Sequence, residues 1–338
     1  MNILAIESSC DETAAAVVRD GRIILSDVVL SQADMHALYG GVVPEIASRR
    51  HIEAVASLCD RALEDAKIKK SDIDAVAATY APGLIGALLV GLNFGKAAAF
   101  SLEKPFVAVH HMRGHIAANY LSFPELKPPF LCLLISGGHS LLVDVRGYTE
   151  FHVMGSTRDD AAGEAFDKAA RALGLGYPGG AAMDALSKGG DEAKYALPRA
   201  KVEGNDLDMS FSGLKTAALN IINRANQTGE ELDKASLAAG FAAAVSDALV
   251  PRAVMAAKRA GRTVLCAAGG VAANSRIRRD LTGACVQNDL KLYIPPLKLC
   301  GDNAAMIGAQ AYYEFLAGNT AAMEQNACAT LDISQRRL

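Results

Sequence analysis

Ile3-Leu4-Ala5-Ile6 is an apolar run, Glu7-Ser8-Ser9-Cys10-Asp11-Glu12-Thr13 is polar, and Ala14-Ala15-Ala16-Val17-Val18 is apolar again before Arg19-Asp20-Gly21. Two short apolar runs around a polar turn predict paired strands. Asp-Gly tolerates positive φ at both positions, so it predicts a hairpin into a third strand over Arg22 to Leu30. The same architecture, in different letters, returns beyond the proline-rich linker Phe123-Pro124-Glu125-Leu126-Lys127-Pro128-Pro129. There Leu131 to Ile135 is apolar, Ser136-Gly137-Gly138-His139 is a tight polar turn, Leu141 to Val145 is apolar, and Glu150 to Gly155 reads as a third strand. Two hairpin openings, each followed by helices, predict a duplicated α/β domain.

Helical and extended segments alternate along the rest of the chain. Pro44 suits the first turn of a helix with the apolar stripe Ile52, Val55, Cys59, Leu63 and Ala66. A strand near Ile73 to Thr79, a helix over Leu84 to Leu102, a strand over Phe106 to Val109 and a helix over His110 to Tyr120 follow. After the second hairpin, helices are expected over Asp160 to Leu173, Gly180 to Lys188, Gly213 to Ala225 and Ser236 to Ala260. Pro251 is expected to kink or split the last of these. Thr263 to Ala268 reads as a strand entering Gly269-Gly270 and a helix from Asn274, Leu290 to Ile294 as a strand, and Asn303 to Leu316 as a helix before a mobile tail.

The composition narrows the class. A chain of 338 residues, 51% hydrophobic and 21% charged, buries a sizeable core, and at about 150 residues per domain it suggests two. A net charge of −3 excludes a binder held by bulk positive charge. The seven cysteines are scattered with no CxxC pair, which excludes a cysteine-based zinc finger and reads as reduced thiols. The N-terminus has no basic region before its apolar run, so no signal peptide is expected. Ala75 to Gly95 is uncharged, yet Pro82-Gly83 divides it, which predicts a strand, a turn and a helix rather than a membrane span. A soluble, cytoplasmic protein is expected.

His111-Met112-Arg113-Gly114-His115 places two imidazoles on one helical face. One reading is a surface histidine beside a buried, hydrogen-bonded one. The other is a metal site, favoured by the preceding strand end and by Asp302 in Cys300-Gly301-Asp302-Asn303. Two imidazoles and one carboxylate suit Fe²⁺ or Zn²⁺. Met112 stands where a zinc peptidase keeps its general-base Glu, so peptide hydrolysis lacks its base. Arg113 reads as a phosphate contact or as an exposed side chain. Ser136-Gly137-Gly138-His139 is either a plain hairpin turn or a backbone cradle for an anion. Ala268-Gly269-Gly270 runs from strand into helix without a Rossmann or P-loop pattern. The acids Asp159, Asp160, Glu164 and Asp167, and the basic runs Arg49-Arg50-His51 and Arg276, Arg278, Arg279, read first as solvated faces.

Eight strings occur in one order: Glu7 to Thr13, Gly40 to Glu45, His110 to His115, Ser136 to His139, Asp159 to Lys168, Tyr177 to Gly180, Phe211 to Thr216 and Asp302 to Met306. Together they resemble the bacterial TsaD (Gcp/YgjD) family, relatives of the KEOPS catalytic subunit, over nearly the whole chain. The resemblance implies the two-lobed actin/Hsp70/sugar-kinase-like (ASKHA) fold with duplicated mixed-sheet domains. It implies a first lobe over 1–124 with the helix of 302–318 packing back on it, a second lobe over 125–301, and a tail over 319–338. It implies transfer of threonylcarbamoyl from threonylcarbamoyl-AMP to N6 of adenosine 37 in tRNAs reading codons that begin with A. His111, His115 and Asp302 would hold one metal, Fe²⁺ by family habit with Zn²⁺ as the alternative. Leu134, Ile135, Ser136, Gly137, Gly138, Asp167, Gly180, Asp184 and Asn274 would contact the adenylate, a site that ATP or its analogues also fit. Asp11, Glu12 and His139 would serve the chemistry. The implied partners are tRNA, a TsaB-type paralogue and a TsaE-type P-loop ATPase, with no membrane. On the same fold, a small-molecule kinase or a non-catalytic ATP-dependent scaffold would give the histidine pair no role.

Overall fold

A computed structural model describes residues 1–199 and 202–336. The chain divides into two compact units: Met1–Pro128 with Arg146–His152 and Pro295–Leu338, and Pro129–Val145 with Val153–Ile294.

The first unit opens with β1 (Asn2–Glu7) and β2 (Glu12–Arg19), antiparallel with Glu7 opposite Ala14. Asp20 and Gly21 take positive φ, 53° and 65°, and the Arg22 N–H donates to the Arg19 carbonyl at 3.1 Å. That turn has the twist right-handed strands need before β3 (Ile23–Ser31). Then come α1 (Ala33–Ala37), α2 (Pro44–Ala66), β4 (Ala75–Ala81), α3 (Ile85–Ser101), β5 (Phe106–His110) and α4 (His111–Ser122). The sheet order is β3-β2-β1-β4-β5, with β4 parallel to β1 and β5 parallel to β4. The uncharged run breaks at Pro82-Gly83 into β4 and α3, as its breakers predict. Helix α2 starts on Pro44 but buries Ala47, His51, Ala54, Val55, Cys59, Ala62 and Leu63. Ile52 of the expected stripe is 65% exposed, because the inward arc turns to take in His51.

The second unit repeats the plan with β6 (Phe130–Ile135), β7 (Ser140–Val145), β8 (Phe151–Ser156), α5 (Ala162–Ala172), α6 (Gly179–Leu186), α7 (Ser212–Thr228), α8 (Lys234–Arg259), β9 (Val264–Ala268), α9 (Ser275–Gln287) and β10 (Lys291–Tyr293). Its sheet order, β10-β9-β6-β7-β8, matches the first sheet strand for strand: β6 is antiparallel to β7 and parallel to β9, as β1 is to β2 and β4. Helix α8 is one unbroken element through Pro251 and is not split there. The ring sits on the exposed side, and the Arg252 guanidinium donates to the Ala248 carbonyl at 2.9 Å, satisfying an acceptor beside the missing N–H. By length and composition α8 is apolar enough to cross a membrane, but 78% of its apolar window is buried inside the protein.

Helix α10 (Ala304–Leu316) returns the chain to the first unit, with Ala304, Ala305, Met306 and Ile307 fully buried against β1 and β2. The stretch beyond it, expected to be mobile, has definite partners. Ala321 N–H donates to the Phe106 carbonyl at 2.8 Å and Cys328 N–H to the Tyr80 carbonyl at 2.9 Å. The Lys96 ammonium donates to the carbonyls of Met323 and Gln325, both at 3.0 Å. Residues 337 and 338 lie outside the described residues.

Gly21 joins the hairpin to α10: a Cβ there would stand 2.7 Å from Cδ1 of Tyr312, at a φ that L side chains rarely adopt. Gly21→Ala is expected to destabilise the protein by about 1–3 kcal/mol. The check is a lower denaturant midpoint at unchanged slope.

Candidate active site

The apolar strand β1 ends on an acid. Glu7 is fully buried, and such a carboxylate persists only with partners. It has three. Its Oε1 accepts the Ser9 N–H at 2.5 Å, and its Oε2 accepts the Thr79 hydroxyl at 2.6 Å and faces His111 Nδ1 at 3.0 Å. Ser9 Oγ is also 3.1 Å from that nitrogen. An ionised carboxylate only accepts, so Nδ1 carries a proton, and Nε2 is the nitrogen whose lone pair a cation would take in place of its own proton. That nitrogen lies 3.6 Å from Asp302 Oδ1, and His115 Nε2 lies 3.2 Å from the same oxygen. One donor atom from each of His111, His115 and Asp302 falls within 4.8 Å of the others. Helix α4 delivers both histidines, and Asp302 stands just before α10.

The residues fit a divalent cation on three counts. Among the described residues, buried Nδ1 of His115 has no hydrogen-bond partner and buried Nε2 faces only Asp302 Oδ1, as suits a ring that donates a lone pair to an ion. Glu7 behind His111 is the outer carboxylate that orients metal-bound imidazoles. The surroundings are also short of positive charge. Burial and then the charges of Asp302 and Asp11 push the Glu12 carboxyl up to about 9. Burial opposes a charged His111, yet Glu7 and Asp302 outweigh it and raise the imidazole to about 9. Burial also opposes charge on Asp302, and His111 and His115 hold its carboxyl below the usual range. A cation among these groups would relieve the repulsion.

Asp11 is buried and Glu12 half-buried, the latter accepting the Ser31 hydroxyl at 3.0 Å. His51, expected on a solvated basic face, is instead fully buried and brackets this pair. Its Nε2 lies 2.9 Å from the Cys10 carbonyl and its Nδ1 2.7 Å from Thr13 Oγ1. Since a carbonyl only accepts, Nε2 is the protonated nitrogen. Arg113, read as a phosphate contact or an exposed side chain, is 2% exposed and paired with Glu314 at 2.9 Å.

In the second unit the polar turn after β6 closes with the Ser136 N–H donating to the His139 carbonyl at 2.8 Å. A Cβ at Gly137 or Gly138 would meet nothing within 4 Å, so their backbone faces open space. Leu134 and Ile135 are fully buried strand residues and present no side chain to a ligand. Gly269 has φ +91°, and a Cβ there would stand 2.3 Å from the Ile135 carbonyl oxygen, which brings the Gly-Gly turn after β9 against the Ser136 turn. Asp167 accepts the Gly179 N–H at 2.8 Å, beside the open Gly180. Asp184 accepts the Ser275 N–H at 3.0 Å and its hydroxyl at 2.7 Å, and Asn274 caps α9 by accepting the Ile277 N–H at 3.1 Å. The acids Asp159, Asp160 and Glu164 are occupied by neighbours: Asp159 by Ser210, Phe211 and Ser212, Asp160 by Lys168 and Lys215, and Glu164 by Lys168.

Glu7, Ser9, Thr79, His51 and Ser275 carry no role in the sequence reading. An apolar strand ending on an acid was the available signal for Glu7. The other four are ordinary polar residues, and apart from the local Ser9–Glu7 contact their partners lie far away in the chain.

The profile of the TsaD family, tRNA N6-adenosine threonylcarbamoyltransferase, matches residues 23–309. Proteins of that name from Clostridium botulinum (strain Kyoto / Type A2) and Clostridium perfringens (strain SM101 / Type A) are each 50% identical, over 336 and 334 residues. They cover 99% of this chain, with 99% and 98% of their own lengths matched. Among solved structures, HypF of T. kodakarensis matches 94% of this chain and 48% of its own at 16% identity and a TM-score of 0.63. A ROK hexokinase from Thermus thermophilus matches 94% and 100% at 16% identity and 0.51. These two establish the fold, the duplicated actin/Hsp70/sugar-kinase-like architecture. By profile and by identity along its length, the chain belongs to the TsaD family of tRNA N6-adenosine threonylcarbamoyltransferases and is a transferase.

Proposed function

We propose that the chain transfers a threonylcarbamoyl group from threonylcarbamoyl-AMP to N6 of adenosine 37 in tRNAs that read codons beginning with A. The observation that carries this is the His111–His115–Asp302 donor set with Glu7 behind it, in a member of this family. The donor is a mixed anhydride with an electrophilic carbonyl and a good leaving group. The acceptor amine is weak, because its lone pair is delocalised into the purine. The residues must therefore position, polarise and remove a proton.

His111, His115 and Asp302 would hold one divalent ion, Fe²⁺ in our reading. When bound, it supplies Lewis-acid polarisation of the carbamoyl carbonyl. In the second unit the open backbone of Gly137 and Gly138 takes the adenylate phosphate, with Leu134, Ile135 and Ser136 contributing main chain. Asp167, Gly180, Asp184 and Asn274 hold the nucleoside, and ATP or an analogue fits the same place. N6 attacks the carbonyl carbon to form the new C–N bond, AMP departs with the electrons of the C–O bond, and the N6 proton passes to a carboxylate of the Asp11–Glu12 pair. His139 polarises the transferred group. A net charge of −3 leaves tRNA binding to be shared, which fits TsaB-type and TsaE-type partners in the cytoplasm.

Incubation of the chain and both partners with threonylcarbamoyl-AMP and unmodified tRNA should yield threonylcarbamoyl-adenosine by nucleoside mass spectrometry. His111→Ala should lower the yield by at least about 100-fold, since it removes a metal ligand. No product from a folded, metal-loaded chain would overturn the transferase reading for this protein. Product indifferent to His111 would remove the metal from the mechanism.

A second expectation concerns Glu7. Glu7→Gln keeps the shape but no longer fixes the proton on Nδ1 of His111, so metal affinity should fall about 10–100-fold. Chelator competition followed by elemental analysis measures this directly. Unchanged affinity would show that Glu7 only fills space.

A further inference from the structure

Arg113 lies two residues from each histidine, so on α4 it projects from the face opposite the one that carries His111 and His115. It is nonetheless among the most enclosed charged groups in the first unit. Its side chain is 3% exposed and that of its partner Glu314 is 2% exposed. All three arms of the guanidinium are used: NH1 donates to Glu314 Oε1 at 2.9 Å, Nε to the Ile333 carbonyl at 2.9 Å, and NH2 to the Gln335 carbonyl at 3.0 Å. Glu314 is equally committed. Its Oε1 also accepts Gln310 Nε2 at 3.0 Å, its Oε2 accepts Asn319 Nδ2 at 2.8 Å, and Arg336 approaches that oxygen at 3.6 Å.

The location gives this network its meaning. Glu314 is on α10, the helix that begins two residues after Asp302, and Arg113 is on α4 between the two histidines. The two helices pack along their length, with Tyr120 edge-on to Tyr313 at 5.3 Å between ring centroids, and closest to the donors at Gly114. A Cβ there would stand 2.7 Å from Cδ1 of Ile307, so α4 lies directly on the first turns of α10. Close approach at Gly114 fixes the separation of the helices, and Arg113 reaching Glu314 adds a directional, charge-paired constraint on their rotation and register. The carboxy-terminal stretch closes the arrangement from outside: besides the two carbonyls on Arg113, the Leu331 carbonyl lies 3.2 Å from Nε2 of His110, the residue that caps α4 through Nδ1.

We propose that the buried Arg113–Glu314 pair, clasped by residues 331–335, is a positioning element for the metal donors. It sets the rotation and register of α4 on α10, and so brings His111 and His115 onto Asp302. The inference rests on the reading of those three residues as a metal site. Ligand distances tolerate only about ±0.2 Å, so a small rotation of α4 separates the donors although nothing in the coordinating set has changed.

The test measures metal affinity and fold separately. Unaltered chain, His115→Ala, Arg113→Met and Arg113→Lys are each titrated with Co²⁺ and with Zn²⁺ against a competing chelator. Thermal unfolding and ATP binding, which uses the second unit, are recorded in parallel. Arg113→Met is expected to lose about 10–100-fold in affinity at a temperature where it is fully folded and binds ATP normally. Arg113→Lys keeps the charge without the fork and should fall between, which also serves if the Met variant does not fold. An Arg113→Met chain that melts earlier yet binds metal as tightly as the unaltered one would overturn the inference, leaving the pair a stabilising contact only. If the unaltered chain and His115→Ala both fail to bind either ion, the metal-site reading falls first and this inference with it.

Discussion

A carboxylate with no exposed surface at the end of β1 constrains much of what surrounds it. Glu7 cannot be ionised there without donors, and the fold supplies them from three separate places: its own following turn through Ser9, the neighbouring strand β4 through Thr79, and helix α4 through His111. Burial alone would raise its pKa; the adjacent imidazole and these donors hold it below the ordinary value. With the charge retained, Nδ1 of His111 keeps a proton, and Nε2 is the nitrogen turned toward His115 and Asp302. The strand, the turn and the helix are therefore held in mutual register by one acid. Removing one of the three leaves a buried charge less fully satisfied, which costs about 1–3 kcal/mol. That is a large fraction of a domain's stability.

The two sheets share one topology, yet the turn after the first strand carries opposite chemistry in each. After β1 the turn is acidic, Glu7 to Glu12, and its groups are crowded enough that Glu12 is driven to about 9. After β6 the turn is Ser136-Gly137-Gly138-His139, with bare backbone N–H groups and no acid. An acidic pocket suits a cation, and exposed N–H groups suit an anion. The two turns are thus equivalent in topology, the first longer than the second, and carry opposite signs of charge preference. The glycine at position 269 belongs to the same specialisation: only a residue without Cβ lets the β9 turn press on the Ile135 carbonyl.

What was legible in the sequence is what depends on neighbours along the chain. Alternation of apolar and polar runs gave both hairpins, the Asp-Gly turn gave its mirror-image geometry, and the four-residue spacing gave His111 and His115 a common face. Asp302 could be joined to them only because its setting after a strand suggested an active-site loop. What depends on distant partners was not legible. Arg113 looks like any helical arginine until Glu314 and the residues around Ile333 are seen to enclose it. His51 follows two arginines and reads as a basic face, whereas its ring is held inside by the Cys10 carbonyl and Thr13. Pro251 is a helix breaker in isolation, but α8 is carried through it by burial on its other faces and by the neighbouring Arg252. In each case a long-range contact overrode a local preference, as tertiary context generally does.

The distribution of the donors along the chain also ties the chemistry to the completion of the fold. His111 and His115 precede the second unit, and Asp302 follows it, so the donor set closes a loop that contains that unit. Loop closure of this length costs only slightly more entropy than a much shorter one, because the cost grows with the logarithm of length. It does require α10 to dock, and α10 cannot dock in part. Ala304, Ala305, Met306 and Ile307 are fully buried within the same apolar cluster as Ile3, Ala5, Ala16 and Val18 of the first hairpin. The helix that fills the core is thus also the helix that delivers Asp302. A chain lacking that segment would expose the core face of β1 and β2 and lack its third donor at once. Stability of the first unit and competence of its candidate metal site are consequences of one packing event.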